Sequence, residues 1–244
     1  MKRKNKVKTN YINKKYENIY LIIIFIISSF YIYLSYENKY IYRELDLNNE
    51  IMITVKGTGE QYIISNSSRI IPSEIYINGE KKNASGRTVN LVEEENIIIL
   101  KWNSPVTNCS YLFYNLNNII KIDLSKFDSS SISNLNRMFS GCSKLTTIIF
   151  DNFDTSLVED MSYMFYGCNL ITSLNLTMFD TSKIKYMYFM FAECYSLTTL
   201  DLSNFRTSNV VSMWDMFFNC SSLISLNIDN FDTSLVRDMD RMFL

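Results

Sequence analysis

The feature that most constrains this chain is a 26-residue repeat that continues without gaps over the second half of the sequence. Copies occupy 119–144, 145–170, 171–196 and 197–222, and 223–244 is a partial copy. Three residue types keep the same place in the copies: Phe127, Phe153, Phe179, Phe205 and Phe231; Met138, Met164, Met190, Met216 and Met242; and Cys142, Cys168, Cys194 and Cys220. Such a fixed period predicts a solenoid, in which each coil buries its apolar side chains against its neighbours.

Each copy combines two hydrophobic periodicities. Leu200 and Leu202 alternate with polar residues, which predicts a short strand. Further along a copy, apolar residues recur at intervals that place them on one helical face: Val158, Met161, Met164, Phe165 and Cys168. The predicted fold class is therefore α/β. We expect a leucine-rich-repeat-like solenoid of about five coils, each with one parallel strand and one short helix.

The copies share the pattern LxxLxLxxFxTSxVxxMxxMFxxC. This pattern resembles the 26-residue repeat of BspA-like leucine-rich-repeat surface proteins, clearly over 119–244 and weakly over 93–118. The resemblance implies a cell-surface protein used in adhesion or partner binding, with an extracellular protein or a glycan as its partner. It carries over no catalytic residue and no cofactor.

Before the repeats, the sequence divides into four segments. Residues 1–18 are basic, and 19–36 form an uncharged apolar run. As a helix this run would be about 27 Å long, enough for a bilayer core. We therefore expect a transmembrane signal anchor with a cytoplasmic N-terminus and extracellular repeats. A cleaved signal peptide, which would make the protein secreted, stays open as the alternative. Residues 37–48 read as a linker.

Residues 49–101 carry short β-like runs, and Asn78-Gly79 predicts a hairpin turn. We expect a small β module that caps the repeat domain, which spans 102–244, because an uncapped end coil would expose its core. Residues 93–118 read as a degenerate first coil, with Ile97 and Ile99 in the inward strand columns. The last copy stops within the pattern, which favours a truncated product over an end that pairs with another molecule.

Composition narrows the possible functions. The net charge of −1 argues against nucleic-acid binding, and the absence of histidine removes the common nucleophile–base arrangements and most zinc sites. Four of the five cysteines share one repeat column, so buried thiols are favoured over disulfides between coils. We expect neither an enzyme nor a bound cofactor or metal.

Three groups of residues are candidate sites. The outward strand positions would line the concave face and bind a protein or glycan ligand: Lys121, Asp123, Thr147, Ile149, Ser173, Asn175, Thr199, Asp201, Ser225 and Asn227. Aromatic residues outside the core pattern form either a stacking surface or partly buried packing: Tyr163, Tyr166, Tyr186, Tyr188, Phe189, Trp214 and Phe218. A column of turn carboxylates either holds calcium or bonds its own turns: Asp128, Asp154, Asp180 and Asp232, interrupted by Arg206.

Five sequons are possible glycosylation sites in a eukaryotic secretory route: Asn66, Asn83, Asn108, Asn175 and Asn219. Taken together, these features predict a non-catalytic recognition or adhesion protein. The alternative is a structural surface-coat component whose coils associate laterally without a dedicated ligand. Self-association without added ligand would distinguish the second function from the first.

Overall fold

The computed structural model describes residues 48–82 and 86–244, and residues 48–244 belong to one compact unit. Over these described ranges the chain forms ten strands and no helix. The strands are β1 (Glu50–Lys56), β2 (Gly59–Tyr62), β3 (Glu74–Ile77), β4 (Glu80–Lys82), β5 (Thr88–Leu91), β6 (Glu95–Lys101), β7 (Ile119–Asp123), β8 (Thr147–Ile149), β9 (Thr199–Asp201) and β10 (Ser225–Asn227).

The first six strands form a β module that shares a sheet with the first repeats. The larger sheet has the order β4-β3-β6-β1-β7-β8, and β2 pairs with β5 in a separate ribbon. The predicted hairpin joins β3 to β4, and its two turn residues, Asn78 and Gly79, both have positive φ. Ile51, Ile53 and Val55 alternate along β1 and are fully buried, so one face of this strand covers the first coil.

The position of β1 corrects the strand half of the predicted first coil, whereas its second half stacks on the next coil through Asn108↔Asn134. β1 lies between β6 and β7 and is antiparallel to both, so β6 does not begin the parallel stack. The inward residues of β6 are also shifted by one position. Ile98 and Leu100 are completely buried, whereas Ile97 is 50% exposed. A shift of one residue exchanges the two faces of a strand, and the apolar run 97–100 offers no alternation that would reveal the register.

The repeats stack in register with an offset of 26 residues. β7 pairs in parallel with β8 through Ile122↔Ile148, and β9 pairs in parallel with β10 through Leu200↔Leu226. A second line of parallel bridges joins positions on the other half of the coils: Asn108↔Asn134, Asn134↔Asp160, Asp160↔Tyr186, Tyr186↔Ser212 and Ser212↔Asp238. Equivalent residues of successive coils therefore touch.

The predicted helix of each coil is absent, and the α/β leucine-rich-repeat-like fold class is therefore wrong. Consecutive turns occupy its place, because residues with left-handed backbone recur every four positions. These residues are Tyr111 and Asn115; Arg137 and Gly141; Tyr163 and Gly167; Phe189 and Glu193; Asp215 and Asn219; and Arg241. An α-helix cannot pass through such residues, since its backbone angles are uniformly right-handed.

Hydrogen bonds between coils explain why the turns replace a helix. The N–H of Met161 donates to Tyr186 O at 3.1 Å, and that of Tyr163 donates to Tyr188 O at 3.0 Å. The N–H of Met164, the next residue along the chain, donates to Met161 O in a turn at 3.2 Å. Half of the donors thus find their acceptors one coil away. A helix this short is only marginally stable alone, so bonding between coils decides the backbone.

The predicted core columns are present inside the stack. One column of phenylalanine rings is stacked at centroid distances between 5.6 and 6.0 Å and consists of Phe113, Phe139, Phe165, Phe191, Phe217 and Phe243. The first five rings are buried, and Phe243 in the last copy is 61% exposed. Met138, Met164 and Met190 are fully buried beside it. The helix pattern therefore predicted the correct buried side chains on the wrong backbone.

The predicted single-pass membrane topology, with extracellular repeats, is also corrected. Within 48–82 and 86–244 no helix has the length and apolar character needed to cross a bilayer. Segments 1–18, 19–36 and 37–47, on which that prediction depended, lie outside the described residues.

Candidate functional site

The strand-face residues predicted from the sequence lie in two aligned rows. The first row contains Lys121, Thr147, Ser173, Thr199 and Ser225, and the second contains Asp123, Ile149, Asn175, Asp201 and Asn227. Lys121 pairs with Thr147, and Thr199 pairs with both Ser173 and Ser225. We call this surface the strand face. Leu200, between Thr199 and Asp201, is buried, which places its two neighbours on the outside.

The two rows differ in what their polar atoms do. In the second row, Asp201 Oδ1 accepts the Ser203 N–H at 2.9 Å, and Asn227 Oδ1 accepts the Asp229 N–H at 3.2 Å. Asp123 and Asn175 make the same bond two residues ahead, at 3.0 and 3.3 Å. These side chains hold the turn that follows each strand, so much of their bonding capacity is already used.

The first row presents unused hydroxyl groups. Thr147, Ser173, Thr199 and Ser225 are all exposed. Among the described residues none of these four hydroxyls has a hydrogen-bond partner. The parallel register repeats them at the spacing between neighbouring strands, about 4.8 Å. The result is a line of groups that can each donate and accept a hydrogen bond.

The turn carboxylates bond their own turns, the second of the two interpretations offered by the sequence. Asp154 Oδ1 accepts the Ser156 N–H at 2.9 Å, and Asp128, Asp180 and Asp232 make the equivalent bond. Bonds from the N–H and hydroxyl of Ser182 lower the pKa of Asp180. Among the described residues, no cluster of three or more acidic, cysteine or histidine side chains could hold a metal ion.

A set of buried hydroxyls, missed in the sequence analysis, anchors these turns. Thr181 Oγ1 accepts the Arg206 N–H at 2.7 Å and donates to Arg206 O at 3.2 Å. Thr155 and Thr207 bridge the residues 25 positions later in the same way, and each of the three threonines is 1% exposed. The signal was a hydroxyl residue directly after each position of the turn column, Ser129 in the first copy and threonine in the other four, which a surface-turn interpretation treats as solvated.

The extra aromatic residues pack mainly against one another. Tyr163 stacks on Phe189 at 4.6 Å, and Phe189 meets Trp214 edge to face at 4.9 Å. The Arg137 guanidinium lies 3.8 Å from the centre of the Tyr163 ring. Tyr186 is 41% exposed, whereas Tyr163, Tyr166, Tyr188, Phe189, Trp214 and Phe218 are half-buried. This flank is chiefly packing between coils.

All five cysteines are free thiols. Cys142, Cys168 and Cys194 are buried, and each Sγ donates to the carbonyl 29 residues earlier, at 3.0 to 3.3 Å. Burial raises the pKa of Cys142 to about 12. A thiol in this state is a poor nucleophile, because the reactive form is the thiolate.

The sequons differ in their surroundings. Asn66, Asn175 and Asn219 are exposed, and Asn108 is half-buried with Oδ1 accepting the Ser110 N–H at 2.8 Å. Asn83 lies outside the described residues.

Comparison with known proteins corrects the resemblance stated above. The leucine-rich-repeat surface-protein family is not matched. No curated protein and no solved structure matches the chain. The family model described as "Mycoplasma protein of unknown function, DUF285" matches residues 87–172 and again 167–244. These two matches cover more than half of the sequence and include all of the stacked coils, and the chain therefore belongs to this family.

Proposed function

We propose that this chain is a non-catalytic recognition protein that binds a protein or glycan ligand along the strand face. The observation that carries the proposal is the row of Thr147, Ser173, Thr199 and Ser225, exposed and without partners among the described residues. Regularly spaced hydroxyls suit a ligand that is itself extended and polar.

The rigidity of the support strengthens this proposal. Leu200 and Leu226, which lie beneath the row, pair in parallel, and the core under them consists of stacked rings and buried methionines. A surface held in this way loses little conformational entropy when a ligand binds. Its side chains, serine and threonine, are also short and carry little rotamer entropy.

Absence of catalysis is part of the proposal. The sequence contains no histidine, and the described thiols are desolvated rather than activated. The Asp128, Asp180 and Asp232 side chains each accept a bond from their own turn. These observations favour binding over turnover.

Binding of the labelled full-length protein to glycan and protein arrays tests the proposal. The double variant Thr147→Lys/Thr199→Lys places long charged side chains in the row, at a column that already accommodates Lys121. We expect it to lose at least about tenfold in affinity, because both bulk and desolvation oppose the ligand.

A matched control carries the same charge change elsewhere. Leu157 and Leu235 are exposed and share a repeat column with Lys183, so Leu157→Lys/Leu235→Lys should fold and bind as the wild type does. Equal loss in both double variants, or no binding to either array, would contradict a strand-face site. Association of the wild type at micromolar concentration without ligand, seen by analytical ultracentrifugation, would favour the structural alternative.

A further inference from the structure

The turn column contains one cation among its carboxylates. Asp128, Asp154, Asp180 and Asp232 occupy this position in the other coils, and Arg206 occupies it in the coil 197–222. The Arg206 side chain is exposed and makes no hydrogen bond or ion pair with any residue that the structure describes. Asp180 and Asp232 each accept bonds from their own turns, and neither carboxylate forms a hydrogen bond or an ion pair with the guanidinium.

Arg206 opens onto a cleft of about 510 Å³, a size that suits a small ligand. Ser203, Asn204, Ser208, Asn230 and Asp232 also line it. Phe205 belongs to the lining as well, but only 1% of its surface is exposed. The cleft therefore offers a cation, hydroxyls, amides and a carboxylate beside a comparable area of apolar surface.

The walls of this cleft are fixed before any ligand arrives. The Thr181 hydroxyl holds both the N–H and the carbonyl of Arg206. The Asn204 amide donates to Leu176 O at 3.0 Å and to Phe179 O at 3.1 Å. These bonds use the NH₂ group of the amide, so its oxygen remains able to accept. Asn230 donates to Ser203 O at 2.6 Å and is arranged similarly.

The cleft adjoins the strand face. Ser203, in the wall, donates its N–H to Asp201, the last residue of β9. A ligand lying along the hydroxyl row can therefore continue into the cleft at this coil.

We propose that this cleft binds a carboxylate-bearing sugar residue, with Arg206 as the carboxylate-binding group. A guanidinium presents two parallel donors that match the two oxygens of a carboxylate. The serine hydroxyls, the oxygens of Asn204 and Asn230, and Asp232 would meet the sugar hydroxyls, which need both donors and acceptors. The inference deepens the proposed function and rests on it, because it treats the chain as a ligand-binding protein.

Two observations favour a saccharide over an acidic peptide. The ring of Phe205 is buried and presents no aromatic surface to the cleft, whereas peptide and protein partners bind mainly through aromatic and other bulky anchors. The flanking carboxylates of Asp180 and Asp232 also repel a ligand of high negative charge density, and a sugar dilutes one carboxylate among neutral hydroxyls.

Titration calorimetry with the full-length chain tests this assignment. The probes are hexagalacturonate, its fully methyl-esterified form and hexaglutamate. We expect hexagalacturonate to bind, and both the neutral ester and the peptide to bind at least about tenfold more weakly.

The decisive variant is Arg206→Asp, because aspartate already occupies this position in four other coils and the fold accommodates it. It should weaken hexagalacturonate binding at least about tenfold. Arg206→Lys should give an intermediate loss, because lysine keeps the positive charge but lacks the two parallel N–H donors of the guanidinium. Arg237→Asp is the matched control, since Arg237 is exposed and has no ion-pair partner in the described part of the chain. It should bind as the wild type does.

Wild-type binding by Arg206→Asp, equal affinity for the ester or for hexaglutamate, or no binding of hexagalacturonate would each overturn the assignment. The array result separates this failure from that of the proposed function. Array binding that depends on Thr147 and Thr199, without hexagalacturonate binding, would remove only the acidic-sugar inference. Binding that depends on Arg206 but tolerates Thr147→Lys/Thr199→Lys would contradict only the proposal that the ligand binds along the strand face.

Discussion

Thr155 binds both backbone polar groups of Asp180, one coil further on. Its hydroxyl accepts the Asp180 N–H at 2.8 Å and donates to Asp180 O at 3.0 Å. A single side chain thus provides the parallel hydrogen bonds that a strand would otherwise make. Since the same bridge recurs at Thr181 and Thr207, the turns stack as regularly as the strands do.

Removal of one bridge should destabilise the stack. In Thr181→Val, the shape is kept but the Arg206 N–H and carbonyl lose their partner in a buried place, which costs about 1–3 kcal/mol. The denaturant midpoint should fall accordingly, and Thr181→Ser should recover most of the loss. Thr199→Val, at an exposed hydroxyl without a partner among the described residues, should change stability by less than about 0.5 kcal/mol. Equal effects at both positions would refute the bridging role.

Charge inside the core should unfold the repeats together. Met190 is completely buried, so Met190→Asp places a carboxylate among apolar side chains and should remove the cooperative transition in thermal circular dichroism. Thr199→Asp, on the strand face, should leave the transition nearly in place. If the two variants lost the same stability, the assignment of inside and outside would be wrong.

Two substitutions at Phe189 distinguish turns from a helix. Phe189 has φ +56°, and both Phe189→Gly and Phe189→Ala remove the ring, so their difference reports the backbone. In a left-handed turn the glycine variant should be the more stable by about 1 kcal/mol. In a helix the alanine variant would be favoured by a similar amount. The denaturant midpoints of the two purified variants show which of them is the more stable.

Buried thiols should make stability fall at alkaline pH. The pKa of Cys142 is raised by burial to about 12, from an ordinary value of 9.0. The native state therefore keeps a proton that the unfolded state releases. The stability of the native state is unaffected by this thiol below the ordinary pKa, and it declines as the pH rises from the ordinary pKa to the raised pKa. At about pH 10.5 the loss from one such thiol is about 2 kcal/mol.

Denaturation of the wild type and Cys142→Ala at pH 8 and at about pH 10.5 checks this expectation. The variant will be less stable at both values because of its cavity, but its decline with pH should be smaller. Parallel declines would show that the thiol does not contribute.

In the wild-type protein, an uncharged thiol reagent at pH 8 should label Cys220 first, since Cys220 is only partly buried and its pKa is raised less, to about 11.

Met161 and Tyr163 show most clearly where the local sequence pattern predicts the structure and where it does not. The sequence identified Met161 as buried, which it is, because burial depends on an apolar pattern that any stacked backbone must satisfy. The helix predicted there was wrong, because the partner of the Tyr163 N–H is Tyr188 O, a contact between residues 25 apart that local periodicity does not contain. The same limit hid the bridge from Thr181 to Arg206.

What the amino-acid sequence determined by itself is the period, the stacking register and the apolar columns, since identical side chains at a fixed interval can share one core only by lying above one another. Tertiary structure alone decided the rest: turns in place of helices, β1 between β6 and β7, and an Arg206 whose neighbouring carboxylates bond elsewhere. The physical reason is that backbone hydrogen bonds are satisfied wherever partners come into reach. In this chain many of those partners lie a whole coil away.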